Sequence, residues 1–314
     1  MKKISVFALA SMIMFNGVAK ADKVDAVNNL KSKIEVVKEA CSDIKSNLDS
    51  IFGLSVATTV SSGLGTVAAG GALAVGIAKA ETDEEYESLS ELYKNYKSNP
   101  TEENKKKVLN SLKDIQEYFK NMQDVSALEK KSKTLGNVRT GLMVGATVTS
   151  AVSTGTSIGA TLTATKLAEK MATCNKALKD LKSAKSSALA EDVEETETSV
   201  TKAGSILSAC IGYDESNIET LKNLATANTI VSSIGTATAG AGTITSALAN
   251  SKKVRNDDSE DGKKKEKNLN TASNILAGVT MGTSGASTAL SAVQISKAKK
   301  DSEMAEKCES ALAE

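Results

Sequence analysis

The chain has 314 residues, with no His, no Trp, one Pro and a formal net charge of +1. Without His there is no Ser-His or Cys-His dyad and no His-ligated metal, and a near-neutral chain offers no basic footprint for nucleic acid. Aromatic residues make up 3% against 40% apolar residues overall, so any core must be built from Ala, Val, Leu and Ile rather than from large rings.

Lys2 and Lys3 precede an apolar run from Ile4 to Phe15, and Ala19 and Ala21 put small residues at the two positions a signal peptidase reads. The run is too short to span a bilayer. Residues 1–21 therefore read as an export signal, with Ala19 and Ala21 as the cleavage residues. Its removal takes away Lys2, Lys3 and Lys20 and leaves a slightly acidic mature chain. The expected location is periplasmic or secreted, a compartment in which disulfides persist.

Val27, Leu30, Ile34, Val37, Cys41, Ile44, Leu48 and Ile51 then follow a three-four spacing, the stripe of a coiled-coil seam. Residues 51–78 form the first of four stretches that lack charge almost entirely and are rich in Gly, Ala, Ser and Thr; the others are 140–165, 223–250 and 269–296. Residues 81–134 read as a small helical hairpin. Tyr86, Leu89, Leu92, Tyr93 and Tyr96 share one face of its first helix, and the second helix starts at Asn99-Pro100-Thr101-Glu102.

After the second pale stretch, Leu167, Met171, Cys174, Leu178 and Leu181 resume the seam. The acidic run Glu191 to Glu197 reads as a linker. Gly212 ends the helix that carries Cys210, and Ser216-Asn217-Ile218-Glu219 is a capping box for the next helix. Asp257 to Gly262 resembles the start of a calcium loop, but its twelfth position is Asn268, where the loop needs a bidentate Glu. It reads as a solvated turn.

The chain also repeats itself. Leu135 to Cys174 aligns without a gap on Leu269 to Cys308, pairing Glu169 with Glu303, Ala177 with Ala311 and Leu178 with Leu312. Val60-Ser61-Ser62 likewise matches Val231-Ser232-Ser233. The expected fold is all-α: two duplicated long antiparallel helical hairpins with Gly/Ala/Ser/Thr packing and coiled-coil-like flanks. The expected organisation is a first half over 22–190 with the hairpin 81–134 inserted, an acidic linker at 191–200, and a second half over 201–314. A β reading fails because the pale stretches lack period-two alternation and Asn-Gly or Asp-Gly turns.

Four cysteines allow three connectivities. Cys41 to Lys79 and Leu135 to Cys174 are helical arms of nearly equal length, about 57 Å each at 1.5 Å per residue. Folded antiparallel, they bring their cysteines to one level, and the second half behaves alike. The predicted disulfides are Cys41–Cys174 and Cys210–Cys308. The pairs Gly141/Gly145, Gly155/Gly159 and Gly278/Gly282 place small residues one helical turn apart and are the predicted helix-packing positions.

No phosphate-binding glycine loop and no nucleophile motif is present in the sequence. No catalytic residue, cofactor, metal or small-molecule substrate is indicated. The sequence favours a non-enzymatic exported structural or interaction protein of the bacterial cell envelope, a water-exposed bundle with Thr and Ser outward. It would bind a protein partner or itself, with 81–134 and the tip near 252–268 as contact surfaces. The alternative is a membrane-active protein whose hairpins insert into a bilayer and oligomerise as a pore or integral membrane protein. The pale stretches are long enough to span; their Ser and Thr content argues the other way.

Overall fold

The seam at Val27–Ile51 is the strongest local signal, and it decides where the core starts. In the computed structural model every member of that stripe is buried, from Val27 at 8% exposure to Ile51 at 0%. The structure describes residues 25–99, 101, 103, 107, 125–190, 196–210, 212, 215–255, 257 and 259–314. The export signal with Ala19 and Ala21, most of the second helix of the 81–134 hairpin, and Glu191 to Glu195 of the linker lie outside the described residues.

The described residues form helices and no strands. The first helix, α1, covers residues 25–40, followed by α2 (Ile44–Ser98), α3 (Val125–Leu189), α4 (Thr196–Cys210), α5 (Glu215–Ala249), the single turn α6 (Lys252–Arg255) and α7 (Glu260–Ala313). The helix ends follow the sequence. Gly212 lies between α4 and α5, and α5 begins one residue ahead of the Ser216 cap. At the start of α7, Ser259 Oγ accepts the Gly262 N–H at 3.0 Å, and Asp257 Oδ1 accepts the Ser259 N–H at 3.2 Å. The acids of this turn thus organise a helix cap.

One break departs from the uninterrupted seam. Asp43 takes φ 61° between α1 and α2, a region a short polar side chain can enter at modest cost. Its carbonyl accepts the Asn47 side-chain amide at 2.7 Å, and its carboxylate pairs with Lys170 at 2.8 Å. The stripe keeps its three-four register across the break, so Cys41 and Ile44 both stay at 0% exposure.

The chain divides into two compact units, and each draws segments from both sides of the acidic linker. Unit 1 comprises Met1–Val56, Ile158–Thr226 and Ala292–Glu314; unit 2 comprises Ala57–Ser157 and Ala227–Ser291. Unit 1 has an ordinary apolar core, in which Leu30, Leu48, Leu167, Met171, Ile206, Leu221 and Leu312 pack together. Both disulfides lie in it. Cys41 is joined to Cys174 and Cys210 to Cys308, with Cα atoms 4.8 and 4.7 Å apart, and these are the pairs the arm lengths favour. Its outer charges form ion pairs such as Lys33 with Asp180 at 3.4 Å.

Candidate functional site

Unit 2 is built from the pale stretches, and its interior follows from the seam by continuation. Stepping from Ile51 along α2 in the same three-four rhythm gives Ser55, still in unit 1, and then in unit 2 Thr58, Ser62, Gly65, Ala69, Ala72, Gly76 and Lys79, and each of these is buried. Stepping back from Leu167 along α3 gives Ala164 and Ala160 in the unit 1 core, and then in unit 2 Ser157, Ser153, Ser150, Ala146, Met143 and Arg139, again all buried. The rhythm of a hydrophobic seam is kept, but its residues become small or polar.

Two apolar layers remain, Ala69 with Ala146 and Ala239, and Ala72 with Met143 and Ala277. Elsewhere the helices meet through hydroxyls. Thr58 bonds Thr156 at 2.7 Å, Ser62 bonds Thr288 at 2.9 Å, Thr147 bonds Thr243 at 2.9 Å and Thr154 bonds Thr236 at 2.8 Å. Ser287 donates to Asn228 Oδ1 at 2.6 Å, and Asn228 Nδ2 donates to Ser291 Oγ at 2.7 Å. Many of these hydroxyls also bond the carbonyl four residues back, as Thr66 does to Ser62 and Thr280 to Leu276, the usual way a helical Ser or Thr satisfies its own donor.

Glycine makes the close approaches possible, though not the predicted glycines. A Cβ on Gly65 would stand 3.1 Å from Thr149 Oγ1 and 3.2 Å from Ser284 Oγ; one on Gly235 would stand 3.0 Å from Thr283 Oγ1. Gly76 faces Arg139 and Asn274, and Gly242 faces Met143, as closely. Gly141, Gly155, Gly278 and Gly282 have nothing within 4 Å of that position, Gly145 has only Ala68 Cβ at 4.0 Å, and Gly159 in unit 1 meets Leu54 at 3.4 Å. Gly141, Gly155, Gly278 and Gly282 are thus corrected as packing positions within the chain, whereas Gly145 and Gly159 do face side chains of α2 at ordinary contact distance. A pair four apart marks some face of a helix, whereas the buried face is fixed by the register of the seam.

The expected outward Ser and Thr are corrected as well. Along 57–78, 138–157, 227–249 and 272–291, every exposed residue except Ser233 is Gly, Ala, Val, Leu, Ile or Met, and none is charged. Val67 is 74% exposed, Ile244 and Ile275 62%, Val60 and Val148 59%. Each stretch is about 20 residues, or roughly 30 Å of helix. Unit 2 is thus inverted relative to a water-soluble domain, with polar groups inside and branched aliphatic groups outside. Contiguous apolar surface on this scale marks a contact with something other than water.

Charge returns at one end of unit 2. Lys79, at 0% exposure, binds Asp83 and reaches Glu266 Oε1 at 3.1 Å, and Ser132 donates to Asp83. Arg139, also at 0% exposure, donates from Nη1 to Asn270 Oδ1 at 3.1 Å and from Nη2 to the Asn270 carbonyl at 2.9 Å. Asn250 Nδ2 donates to the Gly136 carbonyl at 2.7 Å and to Thr140 Oγ1 at 2.9 Å. Five buried atoms here and along the interior have no partner among the described residues: Glu85 Oε2, Arg139 Nε, Ser150 Oγ, Asn250 Oδ1 and Asn274 Oδ1.

Among the described residues no group of three or more His, Cys, Asp or Glu side chains could hold a metal ion. One described stretch, Asp25–Glu85, is long and apolar enough to cross a membrane. Comparison of the chain with protein-family models, with curated proteins and with solved structures gives no match.

Proposed function

We propose that this is a non-enzymatic, exported membrane protein: unit 2 seats its aliphatic surface in a bilayer, and the disulfide-braced unit 1 works in the oxidising, aqueous part of the envelope. The observation that carries the reading is the inversion of unit 2. Its four uncharged outer faces match in length the hydrocarbon core of a bilayer, about 30 Å, and its polar groups bond one another inside, as polar groups in transmembrane bundles do.

Hydropathy alone undervalues these helices. Averaging along a helix mixes the inner and outer faces, so Thr147, Ser150, Ser153, Thr154 and Ser157 depress the mean of α3 although none of them is exposed. Apart from Ser233, the Ser and Thr of these stretches that argued against spanning are buried or half-buried, and many of their hydroxyls bond other helices or their own backbone carbonyls, as in transmembrane helices.

Chain order supports the same reading. Cys41 precedes the first apolar stretch and Cys174 follows the second; Cys210 precedes the third and Cys308 follows the fourth. Four crossings leave all four cysteines on one side, together with the exported N-terminus.

The test is fractionation of native cells followed by a carbonate wash of the envelope. The expected result is a chain that stays in the washed membrane and floats with vesicles after purification. Recovery of the folded chain in osmotic-shock fluid or medium would overturn the reading, and a protein partner would then have to cover the aliphatic surface.

A further inference from the structure

The repeat pairs Leu135–Cys174 of α3 with Leu269–Cys308 of α7 without a gap. The same pairing holds in space: Ser153 Oγ and Ser287 Oγ, which are repeat equivalents, stand 3.4 Å apart inside unit 2, and Arg139 reaches Asn270 further along. In unit 2 the two helices therefore run parallel, with equivalent residues at one level. Each also bonds both α2 and α5, α3 through Thr156 and Thr147, α7 through Thr288 and Ser287. Their outer faces consequently point away from each other.

At inner positions the two repeats agree, Ser150 with Ser284 and Thr154 with Thr288. At outer positions they exchange sizes. Gly141 stands where α7 has Ile275, and Gly145 where it has Val279; Val144 stands where α7 has Gly278, and Val148 where it has Gly282. The four aliphatic side chains are 42–62% exposed. A Cβ at Gly141, Gly278 or Gly282 would meet nothing within 4 Å. Each face thus carries knobs at the levels at which the other carries notches, and no described residue fills the notches at 141, 278 and 282. The outer faces of α2 and α5 show no such exchange, because Val60, Leu64, Ile230 and Ile234 are all large and exposed.

A bilayer holds every copy of a chain in one orientation and at one depth. A second copy moved alongside the first brings its α7 parallel to the first copy's α3, level with level. Each layer then holds one glycine and one branched side chain, so the backbones approach closely and the space is filled. Setting α3 against α3 would oppose glycine to glycine and valine to valine, a gap at one level and an overlap at the next.

We propose that a second copy of this chain covers part of the aliphatic surface, its α7 packed on the α3 of the first through these four levels. The contact is heterologous, so it leaves one α3 face and one α7 face free to add further copies. This rests on the membrane reading given above.

The experiment is oxidative cross-linking of the full-length chain in native envelopes, before and after the carbonate wash. One tagged form carries Val144→Cys and a second carries Gly278→Cys; the four native cysteines are held in disulfides. The mixture should yield at least about fivefold more cross-linked dimer than either form alone. Gly282→Val added to the second form fills a notch that is open within its own chain, so the fold is kept. It should cut the yield about fivefold or more, and Val148→Gly added to the first form should restore it. Equal yields from the mixture and the single forms overturn the pairing of α3 with α7. A yield unchanged by Gly282→Val, or not restored by Val148→Gly, overturns the size match. A chain retained in washed membrane without cross-links is covered by lipid alone, which overturns the contact and leaves the membrane reading intact. Cross-linking of a chain that washes off keeps the contact and overturns the membrane reading, and a chain that washes off without cross-links overturns both.

Discussion

Ser302 on α7 donates its hydroxyl to Asp49 Oδ1 on α2 at 2.5 Å, across 253 residues of chain. Lys45 binds the other oxygen of the same carboxylate at 2.9 Å. The Ser302 hydroxyl first and the Lys45 ammonium second hold the Asp49 carboxyl below the usual carboxylate range. The sign follows directly. A group whose pKa is lower in the folded state stabilises the fold above its unfolded pKa, about 3.9 for Asp. That contribution disappears as pH falls through the folded value. Ser302→Ala should raise the Asp49 midpoint in a carboxyl NMR titration. The melting difference between parent and variant should be present at neutral pH and vanish in strong acid. The pair is solvent-exposed, so the difference will be small.

The two disulfides should contribute unequally and substantially. Cys41–Cys174 joins residues 133 apart and Cys210–Cys308 residues 98 apart. In the chain-entropy description either closure is worth up to about 4–5 kcal/mol. Replacing Cys41 and Cys174 together by Ser should lower the denaturant midpoint of unit 1 strongly, and the 210–308 pair slightly less. An unchanged midpoint would show that the unfolded chain is already held compact by other contacts.

Glycine substitutions should divide according to the seam. Gly65→Val drives methyl groups against Thr149 and Ser284, and overpacking of this kind costs about 1–3 kcal/mol. Gly141→Ala meets open space and should stabilise α3 by up to about 1 kcal/mol through helix propensity. Both effects can be read as shifts in the thermal unfolding of the chain in detergent. Equal destabilisation by the two would count against the register described for α2 and α3.

Charges placed on the aliphatic surface should matter only if lipid covers it. Leu64 and Ile244 are 57% and 62% exposed, and in water Leu64→Lys or Ile244→Lys would be nearly neutral for stability. At the middle of a bilayer each costs about 2.5–3.5 kcal/mol. The doubly substituted chain should therefore be inserted poorly and extracted by carbonate, while the pair Lys38→Leu and Lys179→Leu in unit 1 should leave extraction unchanged.

Much of this architecture is legible in the sequence, and the illegible parts have definable causes. The seam from Val27 to Ile51 is visible because large aliphatic residues recur at three-four spacing among charges. Beyond Ile51 the same register continues through Ser55, Thr58, Ser62 and Gly65, but hydrophobicity no longer marks it. Neighbouring Val60, Leu64 and Val67 are more apolar than the buried positions, so a search for an apolar core face selects the wrong side of α2. Continuing the register would have located both Gly65 and the inversion. The cysteine pairing is legible because arm length is additive along a helix. The break at Asp43 is not, because a left-handed Asp leaves the three-four spacing unaltered.

The pairing of the cysteines also bears on how the chain is made. In order of synthesis the first cysteine bonds the second and the third bonds the fourth. A polypeptide threaded across a membrane from its N-terminus delivers Cys41 and Cys174 before Cys210 emerges. An oxidase acting on each thiol pair as it arrives therefore reaches the native connectivity directly. Under the export proposed above, biogenesis would draw on oxidising equivalents on the far side of the membrane, and oxidation in order of emergence would reach these two bonds without reshuffling.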